Sequence, residues 1–211
     1  MFDFDGVVVD SESYGLELLR RLMKEQYSVD MTEEDSRHVI GFNKSRTVDF
    51  INSAYGLNTT VEEYDACYGK YDNFYVDYEG IKPIDGAREC MEKLSSAGFT
   101  VGLVSSTQAL YILSALNRIG MTDCFDFIVT GDMVENSKPS PEPYLKGLSL
   151  AGCNAGDAFV VEDSPTGVSA GKAAGIFTIG FKAASVKLPT PQADIEIPSY
   201  EELYDYIVLF K

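Results

Sequence analysis

From Thr100 onward the chain alternates short apolar runs with helical segments, and that alternation leaves few folds open. Thr100–Val104, Phe127–Thr130, Ala158–Glu162 and Ile176–Gly180 are each continuous in apolar residues and bounded by turn formers, as strands covered on both faces are. Helices fit between and around them. Asp85–Ala97 carries Ala87, Met91 and Leu94 on one face and stops at Gly98; Leu110–Ile119 stops at Gly120. Pro141 opens a helix to about Ala151, before Gly152. Ser164–Ala174 is rich in small residues that allow close approach to a sheet, and Ser199–Phe210 begins with Ser199 and Glu202 in capping-box spacing. Strands alternating with helices predict parallel βαβ units, hence an α/β core with a helix-covered parallel sheet.

Ser13 to Lys82 reads differently, with helical periodicity and no convincing strand. Helices are expected over Glu12–Tyr27, Thr32–Ile40 and Ser45–Tyr55, and Thr60 with Glu63 caps a long fourth one. Tyr64, Tyr68, Tyr71, Tyr75 and Tyr78 form an aromatic stripe there, which reads as packing surface rather than a cofactor site. An all-helical block inserted after the first strand of an α/β domain looks like a mobile cap. The expected division is residues 1–12 and 83–211 for the core and 13–82 for the cap, with hinges near Val9–Ser13 and Gly80–Ile84.

Composition narrows the chemistry. A formal net charge of −16 over 211 residues repels nucleic acid and anionic membrane, so neither is an expected partner. The four cysteines are scattered without a C-x-x-C pair and His38 is the single histidine, which leaves thiol-rich zinc sites and Ser-His-Asp or Cys-His hydrolases poorly supported. His38 reads as a surface or cap-packing residue. Scattered cysteines, with no secretory segment and no apolar run of membrane-span length, point to the cytoplasm. The expected assembly is a monomer or weak dimer. Only Met1 and Phe2 precede Asp3, so either the first strand is very short or further residues lie upstream.

Four segments carry candidate chemistry. In Phe2-Asp3-Phe4-Asp5-Gly6, followed by Val-Val-Val-Asp-Ser-Glu, the two acids stand two apart at a strand end and can serve one site. One carboxylate can attack phosphorus, and the other can protonate the leaving alcohol and then deprotonate water. Two anions facing a phosphate call for a divalent cation, and Mg2+ suits oxygen donors. The second segment, Val104-Ser105-Ser106-Thr107, offers hydroxyls and backbone N–H groups either to a phosphate or to the next helix as a cap. In the third, Lys138 sits in a proline-stiffened loop, where it can neutralise phosphate oxygens or simply face solvent. The fourth, Phe159-Val-Val-Glu162-Asp163-Ser164, ends an apolar strand in two acids whose burial without a cation is costly, although Asp163 could instead cap the helix.

In motif order, spacing and the position of the insert, the whole chain resembles the haloacid dehalogenase superfamily, and within it the beta-phosphoglucomutase-like phosphatases with a helical cap. The resemblance implies a Rossmann-like parallel sheet core with an inserted all-α cap closing over the site. It implies Asp3 as nucleophile and Asp5 as general acid/base. It also implies Mg2+ held by Asp3, the backbone carbonyl of Asp5, and Asp163, with Glu162 direct or through water. Ser105, the Ser106 N–H and Lys138 would bind the transferring phosphoryl group.

Asp5 argues against dehalogenation, since a leaving halide needs no proton. Phosphonate-cleaving members use a cap lysine; nothing in the sequence singles out such a lysine, although Lys44 stays open for that role. The segment Gly41–Arg46 looks like the mutases' specificity loop, in which Lys44 and Arg46 could hold a second phosphate or a polyol, or else flank a helix cap at Ser45. The sugar mutases carry a histidine in the first cap helix, where this chain has Gly15. The expected activity is hydrolysis of a small phosphate monoester such as a sugar phosphate. Hexose-phosphate mutase and a non-catalytic sugar-phosphate-binding module are the alternatives.

Overall fold

The computed structural model describes residues 1–40, 42, 44–71 and 73–210. It divides into two compact units, Met1–Ser11 with Tyr78–Lys211, and Glu12–Asp77.

The first unit is built on a parallel sheet. Strand β1 (Gly102–Val104) pairs with β2 (Phe127–Val129), and β3 (Phe159–Glu162) with β4 (Phe177–Phe181), which pairs with β5 (Ile195–Ile197). The opening residues join the two halves. Phe2 bridges Leu103 on one side and Val161 on the other, both in parallel. Its N–H donates to the Gly102 carbonyl at 2.8 Å, and the Asp3 N–H donates to the Val161 carbonyl at 3.0 Å. The order across the sheet is therefore β2, β1, opening segment, β3, β4, β5.

The four strands expected from apolar continuity are present with ends shifted by a residue or two. β5 was not anticipated: it is three residues long, and Glu196 interrupts its apolar pattern at the sheet edge. The core unit's helices are α5 (Ala87–Ser96), α6 (Ala109–Arg118), α7 (Glu142–Ala151), α8 (Pro165–Ala173) and α9 (Tyr200–Val208). α7 packs on β1 and β2, α8 on β3 and β4, and α5 against α9. The small residues of α8 do what their size suggests: a Cβ on Gly171 would collide with the side chain of Thr178 on β4. Val104, Val129, Tyr144, Val160, Ala170 and Ile176 form one buried cluster under these contacts, each large apolar side chain contributing about 1.5–3 kcal/mol by leaving water.

The inserted unit holds α1 (Ser11–Tyr27, its first residue in the core unit), α2 (Glu33–His38), α3 (Lys44–Tyr55) and α4 (Val61–Tyr68). Leu19, Leu22, Met23, Val48, Ile51 and Tyr64 make its core. Thr60 and Glu63 form the full reciprocal capping box at the start of α4. The long fourth helix is a correction. α4 ends at Tyr68, where Gly69 closes the turn by donating to the Asp65 and Cys67 carbonyls. Only Tyr64 and Tyr68 of the stripe ride on it, their rings 5.6 Å apart. Tyr71 still packs against the unit's core from beyond the helix end.

Candidate active site

The carboxyl ends of the opening segment and β3 gather the acids, the end of β1 adds Ser105, and the loop after β2 brings a lysine to them. Asp3 is held by its N–H to the Val161 carbonyl, next to Phe2, which bonds to β1 on the other side, and is only 8% exposed. The chain then turns at once: the Gly6 N–H donates to the Val9 carbonyl at 2.8 Å, with Gly6 at φ +72°. That left-handed conformation suits glycine, and a Cβ there would also fall inside the Asp163 carboxylate. Asp5 is half-buried, with the Thr107 hydroxyl 3.4 Å from its Oδ2.

Lys138 reaches the centre of the cluster. Its ammonium donates to Asp3 Oδ1 at 2.7 Å, to Glu162 Oε1 at 2.6 Å and to the Val104 carbonyl at 2.9 Å. The side chain is 6% exposed, so the reading of a solvated loop lysine fails. Glu162 is fully buried and accepts two further bonds, from the Tyr144 hydroxyl to Oε1 at 2.6 Å and from the Ser164 hydroxyl to Oε2 at 3.2 Å. Gly167, at the start of α8, makes room for this carboxylate, which a Cβ would overlap.

Asp3, Glu162 and Asp163 each present an oxygen, all within 4.8 Å of one another. With Asp5 nearby, one ammonium faces more carboxylates than it can neutralise. Burial raises the Asp3 carboxyl, Glu162 adds to the effect, and Lys138 offsets it only in part, leaving the group at about 7. Burial works against the Lys138 charge, but Asp3 and Glu162 outweigh it and push the ammonium above its ordinary value. An oxygen-only set with excess negative charge fits a hard divalent cation such as Mg2+.

Ser105 is buried at the end of β1, its hydroxyl accepting from the Thr107 N–H at 3.0 Å. Neither Ser105 nor Ser106 caps α6; the Asp132 carboxylate takes the Ala109 N–H there at 2.9 Å. Ser106 is exposed, and its carbonyl sits where a Cβ on Gly131 would be. Asp163 does not cap α8 either, because Ser164 accepts the Gly167 N–H at 3.0 Å. Lys44 and Arg46 belong to the helical unit. Lys44 pairs with Asp65 at 2.8 Å, and the Arg46 guanidinium lies 3.8 Å from the centre of the Phe42 ring. His38 is exposed, with its ring against Phe42 and Phe50, in keeping with a surface or cap-packing residue. Gly41 and Asn43 lie outside the described residues.

Sequence reasoning missed Tyr144 and Glu142, and it placed Thr107 only within a candidate phosphate or cap segment, without its contact to Asp5. Glu142, in the first turn of α7, accepts from the Glu135 N–H at 2.7 Å and from the Asn136 N–H and side-chain amide at 2.9 Å. It thereby ties down the loop that delivers Lys138. Tyr144 left one signal, a hydroxyl on an apolar helix face that needs a buried partner.

Residues 1–181 match the haloacid dehalogenase-like hydrolase family, and the chain belongs to that family. It is 32% identical over 176 residues to the phosphorylated carbohydrates phosphatase of Thermotoga maritima, covering 83% of this chain and 81% of that one. It is 29% identical over 204 residues to the validoxylamine A 7'-phosphate phosphatase of Streptomyces hygroscopicus subsp. limoneus, covering 96% and 94%. Among solved structures, one described as "putative beta-phosphoglucomutase from Thermotoga maritima" superposes with a TM-score of 0.81 at 28% identity, over 100% of this chain and 98% of that one. The chain is thus a haloacid dehalogenase-like hydrolase with a parallel-sheet core and an inserted helical cap unit. Among the described residues no helix is long and apolar enough to cross a membrane.

Proposed function

We propose that this chain is a Mg2+-dependent phosphatase acting on a small phosphate monoester, such as a sugar phosphate, through an aspartyl-phosphate intermediate. The observation that carries the reading is Asp3, fixed at a strand end, bonded to Lys138 at 2.7 Å and within ligand range of Glu162 and Asp163. The names of two relatives, a phosphorylated-carbohydrate phosphatase and a validoxylamine phosphate phosphatase, support the substrate class.

In this reading an Asp3 oxygen attacks phosphorus as the bond to the leaving oxygen breaks, and Asp5, protonated, gives that oxygen its proton. Asp5 then takes a proton from water, which attacks the same phosphorus. The bond to Asp3 breaks and inorganic phosphate leaves. Lys138, the Ser105 hydroxyl and the Ser106 N–H hold the phosphoryl oxygens and their developing charge. Asp3, Glu162, Asp163 and the Asp5 carbonyl would hold Mg2+, which when bound offsets the repulsion between carboxylates and phosphate. Lys44 and Arg46 are proposed to contact the rest of the substrate. Such contact competes with Asp65 for Lys44 and with the Phe42 ring for Arg46.

Asp3→Asn is expected to abolish Mg2+-dependent phosphate release across a panel of sugar, nucleotide and glycolytic phosphates. Full activity in that variant sinks the mechanism. A mutase reading draws on the solved structure described as a "putative beta-phosphoglucomutase". Incubation of β-glucose 1-phosphate with a trace of the bisphosphate separates the two: phosphate release supports the phosphatase, and conversion to glucose 6-phosphate without release supports the mutase.

A further inference from the structure

We infer that Tyr144 is a positioning residue for the cation site, acting through Glu162; the inference rests on the reading of Glu162 as a Mg2+ ligand. Tyr144 has no exposed surface and is among the largest fully buried side chains of the protein. Its hydroxyl spends its proton on Glu162 Oε1 at 2.6 Å, the same oxygen that receives the Lys138 ammonium at 2.6 Å. The Lys138 nitrogen also lies 5.0 Å from the centre of the Tyr144 ring, so the phenol touches both members of that ion pair.

The geometry divides the work between the two carboxylate oxygens of Glu162. Oε1 is saturated by two short donors that arrive from one segment, the Lys138 loop and the first turns of α7. Among the described residues Oε2 has a single, longer bond, from the Ser164 hydroxyl at 3.2 Å, a contact that can yield to a cation or to its water. The absence of a side chain at Gly167 leaves room for the carboxylate against α8. A carboxylate gripped at one oxygen cannot swing, and its other oxygen stays aimed. Lys138 alone could not ensure this, because its ammonium is shared with Asp3 and the Val104 carbonyl. Partners that orient a metal ligand in this way typically govern affinity by about tenfold to a hundredfold.

The test is isothermal titration of the metal-free protein with MgCl2 for wild type, Tyr144→Phe, Glu162→Gln and the double variant. Y144F keeps the ring and deletes only the donor. It is expected to weaken Mg2+ binding by about tenfold, while on the E162Q background it changes nothing further, because its effect passes through the carboxylate. Tyr144→Met, a flexible side chain able to fill the same space, gives the same comparison should Y144F not fold. Wild-type affinity in the hydroxyl-free variants, or an equal loss on the E162Q background, overturns the inference. If wild type itself neither binds Mg2+ nor hydrolyses phosphate esters, the proposed function fails first, and the two failures are distinguishable.

Discussion

Gly167 lies against the Glu162 carboxylate so closely that a single added methyl would occupy the position of the carboxyl group. The small residue at the start of α8 is therefore part of the acidic cluster's shape. Gly167→Ala should improve helix propensity by about 1 kcal/mol, yet overpacking against a fully buried carboxylate costs about 1–3 kcal/mol. The steric term is expected to win. Urea unfolding should show a net loss of stability, and Mg2+-dependent phosphate release should fall by about tenfold or more as Glu162 is displaced.

Gly6 and Gly152 share a left-handed backbone, with φ +72° and +65°, but not their surroundings. A Cβ at Gly152 meets open space, whereas one at Gly6 falls inside the Asp163 carboxylate. Gly152→Ala is expected to cost about 1 kcal/mol in thermal unfolding with turnover unchanged, the strain of the backbone alone. Gly6→Ala should cost more than that and abolish most of the turnover, because Asp163 must move.

Removing the charge of Lys138 leaves Asp3 and Glu162 buried without their shared cation. Lys138→Met is expected to destabilise the metal-free protein by about 3 kcal/mol. Added Mg2+ should restore part of that loss, since it supplies positive charge to the same carboxylates. Denaturant titration with MgCl2 and with EDTA measures both effects.

The raised Asp3 carboxyl, at about 7, sets a pH dependence whose sign can be worked out. The unfolded carboxyl titrates near its ordinary value of about 4, so between about 4 and about 7 the metal-free folded state holds the proton more tightly. The stability this contributes is complete below the unfolded value and is lost as pH rises through about 7. A cation competing with that proton should behave oppositely. The Mg2+-induced rise in melting temperature is expected to grow from about pH 5 to about pH 7 and then level off. Asp3→Asn should flatten that profile.

Much of this was legible in the chain because the signals were local. Apolar runs bounded by turn formers marked β1 to β4, and Thr60 with Glu63 announced the start of α4. Glu162 and Asp163 could be named because they end such a run, and Asp3 because a second acid follows two residues on; the structure brings the three together with Lys138. What escaped depends on partners remote in sequence. Nothing near Tyr144 says that its hydroxyl meets Glu162, and nothing near Glu142 says that it fastens the loop of Lys138. The overlong fourth helix had a different cause. The tyrosine spacing persisted past Gly69, so periodicity outvoted a local stop.

The opening segment, threaded between β1 and β3, has a consequence for how the protein comes into being. Synthesis delivers Phe2 well before its partners, which follow 101 residues later at Leu103 and 159 residues later at Val161. Until then the segment bearing Asp3 has no strand on either side to pair with. Folding of so non-local a pairing is slow. Once seated, the Asp3 amide, bonded inside the sheet, should be among the last to exchange its hydrogen with solvent.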